Sequence, residues 1–339
     1  MSTPIESNVG GLWQGKQVAA GTKLAPNAAG IRRLRWQDGS LNPAKETDTE
    51  PYVDGQAFPD ATPFVTKVGG EVGEVTAQAQ PETTGFCFAQ IIGVDVVTGA
   101  SDPYTHTISS SNLGGAYQTF YQGVGATTTM NLAYWDALIS KLTWRVGQDQ
   151  HVAHITQAVR AGKTQWAGTL PTAADAGSDP FLWSNVAGEV KIDGTAICEV
   201  DGETLEVDRN LEDYMGSGLS PCFFVPTSGS ITRSVSSVVS SVTAPLIKDA
   251  LFASATPADA ADQSPTIKHV NLATKYTLAV GRTIEIQTPK VIFDLADLET
   301  GASPEGGPMQ VTIGGRCRPS GATPALTVIA TTGDATPYV

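Results

Sequence analysis

Residues 72–93 read VGEVTAQAQPETTGFCFAQIIG, and the change of pattern inside them decides the fold. Small and β-branched residues alternate up to Gln80, which is the period of a strand. Pro81 then suits the first position of a helix. Phe86, Phe88, Ile91 and Ile92 lie close enough to form one apolar patch on a short helix, and Gly93 suits the position just past its end. A strand therefore feeds a short helix, and more strand follows.

The same order recurs at residues 231–253, ITRSVSSVVSSVTAPLIKDALFA. Pro245 stands near the start of the second helix, and Leu246, Ile247, Ala250 and Leu251 form its buried face. Upstream of each helix, GIRRLRWQDGSLNPAKE (30–46) matches GTAICEVDGETLEVDRN (194–210). Identity is weak, so what repeats is architecture.

Strands are predicted for most of the remainder. IRRLRWQDGSL (31–41), GAYQTFYQGVG (115–125) and YWDALISKLTWRVGQDQHVAHITQAVRAGKTQW (134–166) carry strand patterns. CFFVPTSGSITRSVSSVVSSV (222–242) reads as a strand pair. Residues 273–299 and 309–333 are strand-rich, and Asp201-Gly202 reads as a hairpin turn. Residues 1–30 show no apolar period and read as an N-terminal arm ordered against a neighbour. NPAKETDTEPYVDGQAFPDATP (42–63) holds four prolines and no period, so it reads as a long loop with a function. LPTAADAGSDP (170–180) is the clearest linker. The expected organisation is an arm (1–30), a first unit (31–170), a linker (171–180) and a second unit (181–339).

Composition narrows the function. Of 339 residues, 35 are Gly and 21 Pro, and only 16% are charged, which excludes a coiled coil or helical bundle. The 21 Lys and Arg against 34 Asp and Glu give a net charge of −13, which opposes a phosphate-gripping role. No 18-residue apolar run predicts a membrane helix. MSTPIESNVGG lacks a basic segment followed by an apolar one, so no secretory leader is expected. Cys87, Cys198, Cys222 and Cys317 are far apart and read as separate buried thiols of a reducing compartment.

No motif carries chemistry. His151 and His154 form HxxH, but on a strand this spacing places them on opposite faces, so they read as surface residues. His106 and His269 are isolated. There is no GxSxG, and SGS at 228–230 reads as a turn. Asp201, Glu203, Glu206 and Asp208 cluster, but without a calcium-loop spacing they read as a solvated turn. GVGATTT (123–129) and VGGEVGEV (68–75) lack the Lys-Ser/Thr of a phosphate loop. Arg32, Arg33 and Arg35 with Trp36 offer nucleic-acid contact or ion pairs between subunits; the acidic surroundings favour the latter. Trp135, Trp144, Trp166 and Trp183 are expected in the core or at subunit seams. No catalytic, cofactor or metal residue is assigned.

The chain resembles the tail tube (major tail) proteins of long-tailed, siphovirus-type bacteriophages. The carriers are RRLRW…DGSL followed by the polar segment, EVTAQAQPETTGFCFAQIIG, YWDALISKLTWRVGQD with the downstream AGK, and EVDGETLEVDRNLED before the second strand-to-helix step. The resemblance implies a mainly β fold, here two tandem tail-tube-type β-sandwich or barrel units, each with a short flanking helix. It implies a structural, non-enzymatic subunit without cofactors. Six units form a ring in this family, so three fused chains would make a pseudo-hexamer; six chains is the alternative. Rings stack, through the arm and the 40–63 loop, into a conduit for genome delivery. The implied partners are further copies, a tape measure protein, and terminator and distal tail proteins. The implied location is the virion tail, after synthesis in the host cytoplasm, with no membrane contact. A second reading is a β-rich surface-binding module, an adhesin or capsid decoration protein.

The tube reading is physically consistent. A barrel of about twenty-four strands, ~4.8 Å apart and tilted ~45°, is about 50 Å across, and about 40 Å inside its side chains admits a duplex about 20 Å wide without contact. Carboxylates on the lumen would repel DNA and not retard it. Low-charge strands such as SVSSVVSSV (234–242) have edges that a closed ring protects.

Overall fold

A computed structural model describes residues 10–52, 60–110, 115–124, 130–186, 190–258, 261–293 and 309–339. The chain opens with β1 (Gly10–Lys16), β2 (Arg32–Leu41), a hairpin of β3 (Lys45–Tyr52) and β4 (Asp60–Val68), then β5 (Gly70–Gln78) and helix α1 (Pro81–Ile92). The first half finishes with β6 (Gly93–Thr98), β7 (Tyr104–Ser110), β8 (Gln118–Val124), β9 (Met130–Gly147) and β10 (His154–Trp166). The second begins with β11 (Val190–Ile192), β12 (Thr195–Ala196), β13 (Val200–Asp208) and a hairpin of β14 (Leu211–Met215) and β15 (Pro221–Pro226). It continues with β16 (Ser230–Val238), α2 (Ala244–Phe252), β17 (His269–Ala279), β18 (Arg282–Ile292), β19 (Gln310–Arg316) and β20 (Thr327–Thr332). The fold is mainly β. Strand, hairpin, strand, helix is the order of both β2–α1 and β13–α2.

The largest sheet runs β10-β5-β2-β1-β8-β9-β13-β16-β19, and β10 also pairs with β9. Its first six strands thus close into a barrel. β9 makes this possible by its length. Along one edge Met130–Ala137 pairs with β8 and Lys141–Gly147 pairs with β13, while its other edge pairs with β10. The weakest seam is β1 with β2, where only three residue pairs are in register. Beyond it, the side chain of Gln122 replaces a strand: its Oε1 accepts from Leu41 N at 2.8 Å and its Nε2 donates to Leu41 O at 3.2 Å.

The second sheet runs β12-β11-β17-β18-β20-β7-β6, so it too draws on both halves. α1 packs against β7, β9, β18 and β20, and all its residues but Glu82 are buried. Gly85 permits this closeness, because a Cβ there would lie 2.9 Å from the Cβ of Ala330. Pro81 begins α1, and Gly93, at φ 102°, ends it as the sequence predicts. α2 buries only Ile247 fully; Leu246, Ala250 and Leu251 pack at the core's margin.

Several expectations need correction. Residues 10–16 are not part of a free arm: β1 lies between β2 and β8, with Leu12 and Gln14 fully buried. Residues 1–9 lie outside the described residues, as do 53–59 at the tip of the polar segment, 125–129 of GVGATTT, and 294–308. The 42–63 segment is largely the β3–β4 hairpin; among its described side chains none is buried, so no period shows. The hairpin turn is Asp193-Gly194, with φ of 49° and 82°, the left-handed pair that a two-residue turn needs. Asp201-Gly202 lies within β13 at a bulge. β15 and β16 are both strands but pair with β14 and β13, not with each other. Glu203 belongs to no solvated turn; it is buried against Arg233. Cys87 and Cys317 are buried, but Cys198 and Cys222 are exposed, and all four are free. Trp144 fills the core, whereas Trp166 is exposed.

Candidate assembly surfaces

Three ends of the two large sheets are open among the described residues: β19, β6 and the two-residue β12, which pairs only with β11. β19 ends the large sheet and pairs only with β16; β6 ends the second sheet and pairs only with β7. Each leaves a row of backbone donors and acceptors without a strand partner. On β6 the edge carries exposed Val96.

The two hairpins form a second surface. Asp213 on β14 joins them: its Oδ2 lies 2.6 Å from Lys67 Nζ on β4, and its Oδ1 2.8 Å from Arg160 Nη1 on β10. Val68 N also donates to Leu219 O at 2.8 Å. One carboxylate therefore ties both hairpins to the barrel. Burial would raise the Asp213 pKa, but the hydrogen bonds and charges of Lys67 and Arg160 prevail and hold it below the usual carboxylate value. On the second hairpin, the rings of Tyr214 and Phe223 stack 4.6 Å apart, and both are exposed, as is Leu219. An exposed apolar cluster on a two-stranded element is a candidate contact surface.

Residues 17–30, read as arm, are anchored to the barrel. Gln17 Nε2 donates to Asp136 Oδ1 at 3.1 Å, and Gly21 N donates to the same oxygen at 2.7 Å. Trp13 Nε1 donates to Ala173 O at 2.9 Å, which draws the 170–180 linker over the same face.

The arginine cluster pairs within the chain. Arg32 is bonded to Asp334, Arg35 lies 3.3 Å from Asp175, and Arg33 sits 5.5 Å from the Trp13 ring. Arg32 and Arg35 thus have carboxylate partners within the chain, where the sequence reading looked for them across subunits. Arg32 belongs to a buried junction that the sequence did not disclose. His106 on β7 stacks on Tyr338 at 4.0 Å, its Nδ1 lies 2.9 Å from Asp95 Oδ2, and its Nε2 lies 2.7 Å from Asp334 O. The C-terminal residues are thus clamped to the first half. No group of three or more His, Cys, Asp or Glu converges as a metal site among the described residues. His151 lies in the turn before β10, and His154 opens that strand.

No curated protein matches the sequence. A family model described as phage tail tube protein matches residues 7–316, nearly the whole length. The chain belongs to the phage tail tube protein family, as a structural subunit of the tube.

Proposed function

We propose that three copies of this chain close one ring of the tube, each supplying two tail-tube units, 31–170 and 181–339, joined by the 171–180 linker. The repeated order of strand, hairpin, strand and helix supports the division. One observation carries the proposal. β9 pairs with β13 over Lys141–Gly147, so the sheet already passes from the first half to the second, while the outer edge of β19 has no strand partner among the described residues. A ring needs the same kind of seam between chains, and the open edge is where it forms. Six chains per ring is the alternative for single-unit subunits.

Rings stack through the two hairpins, with residues 1–9 and 17–30 as the remainder of the arm. The tube is the tail of a long-tailed, siphovirus-type virion, assembled in the host cytoplasm on a tape measure protein and bounded by terminator and distal tail proteins. Double-stranded DNA passes through without specific binding, past lumen carboxylates that keep it off the wall. The role is structural and needs no cofactor. The adhesin or decoration alternative gains no support from the family match. Negative-stain microscopy of the concentrated protein tests the proposal: stacked rings support it, and discrete particles contradict it.

A further inference from the structure

Arg209 follows β13, and its backbone is fixed by N donating to Ser140 O at 2.8 Å. The residue is 9% exposed. Nη1 is buried without a hydrogen-bond partner, and no carboxylate lies within ion-pair distance among the described residues. The other enclosed guanidinium is treated differently: Arg233 has Glu203 at 2.7 Å. Arg209 lines a recess of about 530 Å³ whose walls include Ile91, Ser110, Pro226, Pro319 and Pro324. Asp208 also borders it, but its Oδ1 accepts from Asn210 N at 2.7 Å. The undescribed stretch after Ser110 reads Ser-Asn-Leu-Gly and contains no acid.

A guanidinium withdrawn from water without an anion is strongly unfavourable, and a bidentate carboxylate is its natural complement. Burial lowers the Arg209 pKa, against an opposing influence from Tyr117. The recess joins the end of α1 to the β15–β16 connection, and it is large enough for an acidic side chain. The chain carries 34 carboxylates to 21 cations, so a second copy presents the missing charge in excess.

We propose that Arg209 is a carboxylate receptor, filled on assembly by an Asp or Glu side chain of a second copy of this chain. The inference rests on the tube reading. It gives assembly a check: a subunit docked without its acid leaves a cation buried, whereas a seated carboxylate satisfies the fork.

The test uses the full chain with Arg209→Met, which keeps the stem and removes the charge. The unassembled variant should melt no lower than wild type, because an unpaired buried charge has been removed. Its critical concentration for tube formation should rise about tenfold or more, the range for a lost charge-assisted hydrogen bond. Wild-type tubes with a variant that assembles at the wild-type concentration overturn this inference alone. Wild-type protein that forms no tubes overturns the tube reading as well. Should the variant melt lower, a density map of the wild-type tube decides: a second copy's carboxylate within 4 Å of the Arg209 guanidinium supports the receptor, and a recess without one overturns it.

Discussion

Arg233 Nη2 and Glu203 Oε1 lie 2.7 Å apart on adjacent strands, β16 and β13, and neither side chain reaches solvent. Arg233 also donates to Leu272 O at 2.7 Å, Ile286 O at 3.0 Å and Thr288 Oγ1 at 2.9 Å, which places one guanidinium across both sheets. The Tyr276 hydroxyl donates to Glu203 at 2.5 Å and completes the set. Burying an ion pair is costly, and breaking it leaves an uncompensated charge. Arg233→Met should therefore destabilise the subunit by about 3–5 kcal/mol, and the double variant Arg233→Met/Glu203→Leu should recover much of that loss. Urea unfolding of the two variants checks this; a double variant as unstable as the single contradicts it.

His106 gives the C-terminus a pH dependence. Burial disfavours its charged form, but the Asp95 hydrogen bond and the Asp334 carbonyl outweigh it, and its pKa is raised above 6.5. With acceptors on both nitrogens, the folded state favours the imidazolium. This contribution is complete below the unfolded pKa, near 6.5, and is lost as pH rises through the folded value. Amide exchange in residues 332–339 should accelerate across that rise and should lose its pH sensitivity, beyond the intrinsic chemistry, in His106→Gln. Equal protection on both sides of the transition contradicts the clamp.

Asp213 acts in the opposite direction. Its lowered pKa contributes stability above about pH 3.9, which is lost as pH falls through the folded value. Asp213→Asn should cost about 1–3 kcal/mol at neutral pH and loosen the alignment of the two hairpins. Exchange of the Val68 amide, bonded to Leu219 O, reports it; unchanged protection means Asp213 is not the tie.

The exposed Tyr214–Phe223 stack has a separable role. Tyr214→Ser/Phe223→Ser should leave the melting temperature of the unassembled subunit within a few degrees, as for surface changes of about ±0.5 kcal/mol each. It should reduce ring stacking markedly, measured by tube length in negative stain. Tubes of wild-type length would remove these rings from the contact.

The legible parts of the fold are those whose period depends on a dry face. α1 between Pro81 and Gly93, the alternation of β5 and the strand-to-helix step before α2 were readable for that reason. β1 was not, because GGLWQGK turns Gln14 into the barrel, where it donates to Gln157 Oε1 at 3.0 Å. A polar residue facing inward erases the pattern that marks a strand. Arg233 stands in a serine-rich strand, and its burial is explained by Glu203, thirty residues away, and by acceptors on β17 and β18, which are more distant still. The β3–β4 hairpin has no dry face among its described side chains. Of the assembly surfaces, the polar segment and the edge hazard of the valine-serine strands could be foreseen. The Asp213 junction and the Arg209 recess could not, because each joins residues distant in sequence.

The central claim is that this chain is incomplete alone and that its open β19 edge is closed by a copy of itself. A helical reconstruction of the tube tests it most directly. Three chains per ring, six similar lobes and a neighbour's strand hydrogen-bonded along Gln310–Arg316 are predicted. Six chains per ring, or a β19 edge that faces solvent in the assembled tube, would contradict it.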